Sequence, residues 1–319
     1  MKAIRLHARG GPEQLFFEDD PKPVAEPGYA VVRVMASGIT PTELTWDETY
    51  QTCDGRERIP STPGHEVSGF IEEVPPDVTD LQPGDAVYGL TEFCRDGSAA
   101  EFVAVRGSDL APKPQSLSHA QAAAVPLSAL TAWQALFDHG DLQSGKSALI
   151  HGAAGGVGTY AVQLAKWRGA SVVATAARRD FEFLRGLGAD QVIDYASERF
   201  EEKAGDIDVV LDPIGGDTLE RSWSVLRPGG IIVTLPAPIR ADSLQRAEAR
   251  GLRGVFFIVA PNHRELIQIA DLLDSKRIQS IIGATIPLQH AREAFERGLA
   301  GGLRGKIVLQ VAEEQAIAA

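Results

Sequence analysis

The segment SALIHGAAGGVGTYAVQLAKWRGASVVATA, residues 147–176, constrains the fold more than any other part of the 319-residue chain. A short apolar run leads into Gly152, Gly155, Gly156 and Gly158, and a helical pattern begins at once. Val157, Ala161 and Leu164 or Ala165 keep helical spacing, Gly169 closes the helix, and a second apolar run follows at Ser171–Ala176. Strand, glycine turn, helix and strand in that order make a βαβ unit, which requires a parallel sheet. In such a unit the glycines let backbone approach a pyrophosphate while the helix N-terminus aims its free N–H groups at it. Against G-x-G-x-x-G the run reads Ala153, Gly155 and Gly158, so the first glycine is replaced. Gly152, Ala153, Gly155, Gly156, Val157 and Gly158 are therefore the candidate dinucleotide-binding residues.

The end of the second strand decides which dinucleotide is expected. A site for NAD places Asp or Glu there to accept from the ribose 2′-hydroxyl. Here the chain offers Thr175, Ala176 and Ala177, then Arg178 and Arg179, with Asp180 one turn too late to compete. A carboxylate would repel a 2′-phosphate, whereas guanidinium groups pair with it. The expected cofactor is NADP(H), held through Thr175 and one of the two arginines. A merely solvated arginine pair at a helix start is the competing reading.

Around this unit the chain changes rhythm. Before about residue 118, Ala30–Ala36, Val67–Val74, Asp85–Leu90 and Ala99–Val105 read as short strands broken by Pro and Gly, the pattern of a small antiparallel barrel or sandwich. Beyond it, helices alternate with the apolar runs SALIHG, SVVATA, QVIDY, DVVLDPIGG and GGIIVTLP. A helix at RELIQIADLLDSKRI precedes a terminal strand, GKIVLQV, able to rejoin the first part and make the parallel domain an insertion. The tail EEQAIAA is expected to fray.

A net charge of −12 disfavours nucleic acid as a partner. No run approaches the ~20 apolar residues that span a bilayer, and the N-terminus lacks the apolar core of a signal peptide, so a cytoplasmic location is expected. Cys53 and Cys94 are the only cysteines, and so sparse a pair is expected to stay as reduced thiols.

Several blocks, in order, carry a family resemblance: GYAVVRVMASGITPTEL, PGHEVSGFIEEV, LQPGDAVYGL, AAVPLSALTAWQAL, HGAAGGVGTYAVQLAKWRGA, LGADQVIDY, VLDPIGGDTL, LRPGGIIV and RGKIVL. Together they resemble the medium-chain dehydrogenase/reductase superfamily, in its zinc-independent, quinone-oxidoreductase-like branch. The resemblance implies an α/β chain with a GroES-like β-rich catalytic domain, residues 1–119 and 262–319, and an inserted Rossmann domain with a doubly wound parallel sheet, residues 120–261. It also implies a cleft between the two and a homodimer. The apolar RGVFFIV run reads either as a sheet edge for a partner subunit to cover or as an interior strand.

Zinc-dependent relatives carry a catalytic Cys where this chain has Thr40, and a four-Cys lobe that two cysteines cannot build. His65 and Glu66 of the Gly-His-Glu block are thus read as a remnant, His65 being a hydrogen-bonding group and not a ligand. No metal is expected. The resemblance places the acceptor along Thr40–Tyr50, with Thr40 and Tyr50 as catalytic candidates and Glu43, Trp46 and His65 lining the pocket. Tyr50 is read as steering a carbonyl or supplying a proton; an ordinary loop tyrosine is the even alternative. On the cofactor side the resemblance adds Tyr195 near the 2′-phosphate, and Pro236, Ala237, Phe257, Ile258 and Val259 near the nicotinamide. Arg304 and Lys306, near the terminus, read either as reaching the cofactor's phosphates or, more readily, as a solvated cationic cluster. The expected reaction is NADPH-dependent hydride transfer to a quinone or to the β-carbon of an enone. A zinc-type alcohol dehydrogenase with unusual ligands, or an NADPH-binding protein without turnover, are the alternatives.

Overall fold

Along Tyr29–Ile39 the side chains of Ala30, Val32 and Val34 alternate inward, and all three are buried. In the computed structural model, which describes residues 1–313, this strand is the centre of the first of two compact units. That unit comprises Met1–Leu127, Pro261–Lys276 and the chain from Ser280 onward; the second comprises Ser128–Ala260 and Arg277–Gln279. Glu314–Ala319, most of the tail expected to fray, lie outside the described residues.

The first unit begins with an antiparallel pair, β1 (Lys2–Leu6) and β2 (Leu15–Asp19). Then come β3 (Tyr29–Ile39), β4 (Glu66–Glu73), β5 (Ala86–Leu90), β6 (Phe102–Arg106) and β7 (Leu110–Pro112). β3 pairs antiparallel with both β4 and β6, and β4 continues to β5 and β7. Val32, Val34, Val67, Ile71, Val87, Val103 and Val105 fill the interior, each fully buried side chain contributing roughly 1.5–3 kcal/mol. This is the GroES-like arrangement.

The second unit is a parallel sheet of β8 (Ser147–Ile150), β9 (Ser171–Ala176), β10 (Gln191–Asp194), β11 (Ile207–Asp212), β12 (Leu226–Thr234) and β13 (Arg253–Phe256). Its order is β10-β9-β8-β11-β12-β13, a Rossmann-type sheet that reverses direction at β8. The strand β13, read as either edge or interior, is an edge. The chain then returns to the first unit through β14 (Ile282–Pro287) and β15 (Lys306–Gln310), and β15 pairs antiparallel with β3. The parallel domain is an insertion, as expected.

Two expectations need correction. The units part at Leu127/Ser128 and Ala260/Pro261, not at 119/120 and 261/262, because Ala123 and Ala124 pack on Ala36 and Val308 of the first unit. Cys53 and Cys94 are not free thiols: they form a disulfide, with Cα atoms 5.0 Å apart, a separation ordinary for such a bond. Their 41-residue separation hides a proximity that the strands create. No helix among the described residues is long and apolar enough to cross a membrane.

Candidate functional site

In the second unit the strand β8 ends at a turn whose tightest residue is Gly152, at φ 57°. This explains the missing first glycine of the fingerprint. The left-handed position falls one residue earlier, so Ala153 is tolerated, buried, with its N–H donating to the Thr175 carbonyl at 3.1 Å. Gly155 caps the helix Gly156–Trp167 and brings no side chain of its own, which leaves the first-turn N–H groups open to an anion. A Cβ on Gly158 would stand 2.5 Å from the Gly152 carbonyl oxygen and 2.6 Å from Ala153 Cα. Gly158→Ala should therefore cost roughly 1–3 kcal/mol by overpacking backbone on backbone. Denaturant unfolding and dinucleotide titration check this: both stability and binding fall together, and unchanged binding would refute the role of the loop.

Arg178 and Arg179 follow β9 and both are exposed, whereas Asp180 is buried. Arg178 lies over the Phe181 ring at 5.4 Å. On the neighbouring strand, Asp194 accepts from the Ala196 N–H and the Ser197 hydroxyl, so its carboxylate is committed locally. Tyr195, beside it, is 63% exposed. The carboxyl edge of β9 and β10 thus presents two exposed guanidinium groups and an exposed phenol. Thr175 departs from its expected role: it is buried and its hydroxyl meets His151 Nδ1 at 3.0 Å. It supports the loop from beneath. Pro236 and Ala237 are exposed beyond β12, as is Ile258, while Phe257 packs on His139 and Val259 is half-buried.

His151 joins Thr175 to the Ser222 hydroxyl, 2.9 Å from Nε2, and burial lowers its pKa to about 4. The unfolded chain takes up a proton near pH 6.5 that the folded one refuses until about pH 4. Stability from this group is present above pH 6.5 and lost as pH falls toward 4, at up to about 1.4 kcal/mol per pH unit. Urea midpoints at pH 7 and pH 5 should show a smaller acid loss in His151→Gln than in the parent; equal losses would exclude this histidine as a source.

In the first unit, three strand ends meet. The register Ile307↔Ile39 sets Lys306 beside Thr40, and Gly38↔Glu66 sets Glu66 on the other side. Gly38 makes room: a Cβ there would stand 2.9 Å from Glu66 Oε2. The Lys306 ammonium forms a close ion pair with Glu66 and donates to Thr40 Oγ1 at 3.1 Å. Glu66 also accepts from the Leu127 N–H at 3.0 Å. Lys306 is buried, which corrects its reading as part of a solvated cluster.

Glu43 and His65 lie nearby. Glu43 accepts from the N–H groups of Gly64 at 2.9 Å and Thr40 at 3.3 Å, yet burial pushes its pKa up to about 7. His65 Nδ1 meets the Thr91 hydroxyl at 3.1 Å, and Nε2 stands 3.5 Å from Glu43. Burial holds the imidazole neutral, with a pKa of about 3, so this contact is not an ion pair at neutral pH. Trp46 stacks on one face of His65, and Phe93 meets it edge-on.

The donor set does not suit a zinc ion. Both cysteines are bonded to each other, and an ammonium touches Thr40, where zinc-dependent relatives have a thiolate. Among the described residues no group of three His, Cys, Asp or Glu is placed to hold a metal.

Tyr50 is the clearest correction. Its ring is buried in the core with Leu44 and Phe295, and its hydroxyl donates to the Leu44 carbonyl at 2.7 Å. That proton is engaged, so the structural role replaces the catalytic one. Tyr50→Phe should cost about 1 kcal/mol of stability, the net worth of one hydrogen bond, and leave turnover unchanged. A large loss of turnover at unchanged stability would restore the catalytic reading.

Comparison with known proteins agrees with this geometry. Residues 26–115 match the alcohol dehydrogenase GroES-like domain, and residues 187–309 match a domain described as zinc-binding dehydrogenase. The mouse mitochondrial NAD(P)H oxidoreductase RTN4IP1 is 34% identical, over 89% of this chain and 82% of its own length. The chain belongs to the medium-chain dehydrogenase/reductase superfamily, in its quinone oxidoreductase-like branch. A quinone oxidoreductase of Coxiella burnetii superposes on this superfamily member with a TM-score of 0.91 at 31% identity, covering 98% of this chain and 99% of the other. The Arabidopsis thaliana chloroplastic NADPH-dependent alkenal/one oxidoreductase is 30% identical over 97% of this chain and 79% of its own. The expected cytoplasmic location is overturned by the mouse relative and similar proteins, which are mitochondrial.

Within the superfamily frame, sequence reasoning misplaced Lys306 and missed Phe93. Lys306 had one signal: it opens the buried run Ile307, Val308, Leu309, a strand start where a cation needs a partner. Phe93 had none, since its contact depends on how the loop after β5 folds back.

Proposed function

We propose that the protein reduces quinones or α,β-unsaturated carbonyls with NADPH and without a metal. Two observations carry the metal-free part: the Cys53–Cys94 bond leaves no thiolate, and Lys306 brings positive charge to Thr40. The relatives named for quinones, for alkenals and for NAD(P)H support the rest.

The residues fit the dinucleotide. The turn at Gly152–Gly158 and the open helix N-terminus would hold its pyrophosphate, and Arg178 or Arg179, with Tyr195, its 2′-phosphate. When bound, the dinucleotide supplies a hydride. The chain's own task is then to orient the acceptor and stabilise charge that spreads into an enolate or hydroquinone anion. Thr40 is half-exposed and its hydroxyl proton is available to an acceptor oxygen, since Lys306 occupies a lone pair. Trp46, half-exposed above His65, offers a flat wall to a planar substrate. Water supplies the final proton, because Tyr50 is engaged elsewhere. A second copy of the chain is proposed to cover the free edge of β13.

The test is transfer of deuterium from NADPH deuterated at C4 of the nicotinamide to cyclic enones, read by mass spectrometry. Label at the β-carbon is expected. Consumption of NADPH without label in the product, or no consumption with any enone or quinone, would contradict the proposal.

A further inference from the structure

We infer that Lys306 is a positioning residue that fixes Thr40 as a hydrogen-bond donor to the acceptor carbonyl, and this rests on the reading of Thr40 given above. An ammonium has protons and no lone pair, so the 3.1 Å contact runs from Lys306 Nζ to Thr40 Oγ1. The threonine oxygen accepts there, and its own proton must point away from the ammonium. Thr40 is the half-exposed member of the group, whereas Lys306 and Glu66 are buried. The accessible side of the hydroxyl is thereby left with its proton. The ammonium also withdraws charge from the oxygen it touches, which makes that proton a better donor to an oxygen gaining negative charge.

Three features of the fold hold the device in place. The β15–β3 register puts Lys306 opposite Thr40, the Glu66 ion pair prevents the ammonium from swinging out, and Gly38 leaves the space through which Glu66 reaches it. A threonine hydroxyl without this neighbour would sample all its rotamers, and part of the time it would offer the acceptor a lone pair instead of a proton.

The experiment is a cycle of Thr40→Val, the charge-neutral pair Lys306→Met with Glu66→Gln, and the triple variant. Steady-state kinetics use NADPH with 2-cyclohexen-1-one or 1,4-benzoquinone, whichever the parent turns over faster. Removing both charges avoids stranding a buried carboxylate, so folding is preserved. Thr40→Val and the charge-neutral pair should each lower kcat by roughly tenfold or more, the scale of one lost donor to a developing oxyanion. KM for NADPH should not move, and the triple variant should be no slower than Thr40→Val. A charge-neutral pair with parental kcat, or a triple variant slowed by the product of the two losses, would overturn the inference. If the parent turns over neither probe, the functional reading falls first. The contact is then decided by the 15N resonance of the Lys306 ammonium, which Thr40→Val should shift; an unmoved resonance overturns it.

Discussion

Replacing Arg178 and Arg179 together with alanine is expected to raise the Kd for NADPH about 100-fold while NADH binding changes little. The two guanidinium groups are exposed at the end of β9, Arg178 over the Phe181 ring and Arg179 3.8 Å from the Asp180 carboxylate. Charge-assisted bonds to a phosphate are worth about 1.5–3 kcal/mol in such settings, and roughly 2.7 kcal/mol corresponds to 100-fold. NADH lacks the 2′-phosphate and has nothing to lose. Asp194 is tied to Ala196 and Ser197, so the variant gains no carboxylate to recruit the free 2′-hydroxyl. Fluorescence titration of both dinucleotides reads the difference, and equal weakening would remove the 2′-phosphate assignment. Because both side chains are exposed, the melting temperature should change little.

Lys306→Met alone carries the largest expected loss of stability, about 3–5 kcal/mol, the usual cost of stranding one member of a buried ion pair. Glu66 is 1% exposed and cannot turn to water. It would keep the Leu127 N–H but lose the ammonium. Methionine fills the volume, so the loss is electrostatic and not a cavity. Adding Glu66→Gln should recover most of the stability at neutral pH, since the amide carries no charge. Denaturant unfolding of the parent, the single and the double variants checks this. A single variant as stable as the parent would show that the pair contributes nothing net, and a double variant no better than the single would place the loss in packing.

Local sequence pattern was enough for the architecture. The glycine turn between two apolar runs requires a parallel crossover whatever lies around it, and β8, the helix Gly156–Trp167 and β9 follow it residue by residue. Arg178 and Arg179 were readable for the same reason: their position depends only on where β9 ends. What sequence could not supply was pairing between distant segments. Lys306 looks like any terminal cation until the β15–β3 register sets it against Thr40 and Glu66. Tyr50 sits in a polar stretch, TWDETY, and nothing there shows that its ring turns into the core while its hydroxyl finds Leu44. Cys53 and Cys94 look unrelated for the same reason, since the loops that join them are ordered by strands on either side. Thr175 lies on the expected strand, but its hydroxyl turns inward against His151. Side-chain direction at a strand end is set by the layer beneath, which period alone does not report.

The central claim is hydride transfer from NADPH to a conjugated acceptor by a protein that uses no metal. It is tested most directly by dialysing the protein against a strong chelator, confirming removal of metal by elemental analysis, and following NADPH absorbance with an enone and a quinone. The rate should equal that of the untreated protein and should not rise when zinc is returned. Loss of turnover on chelation, restored by stoichiometric zinc, would contradict it.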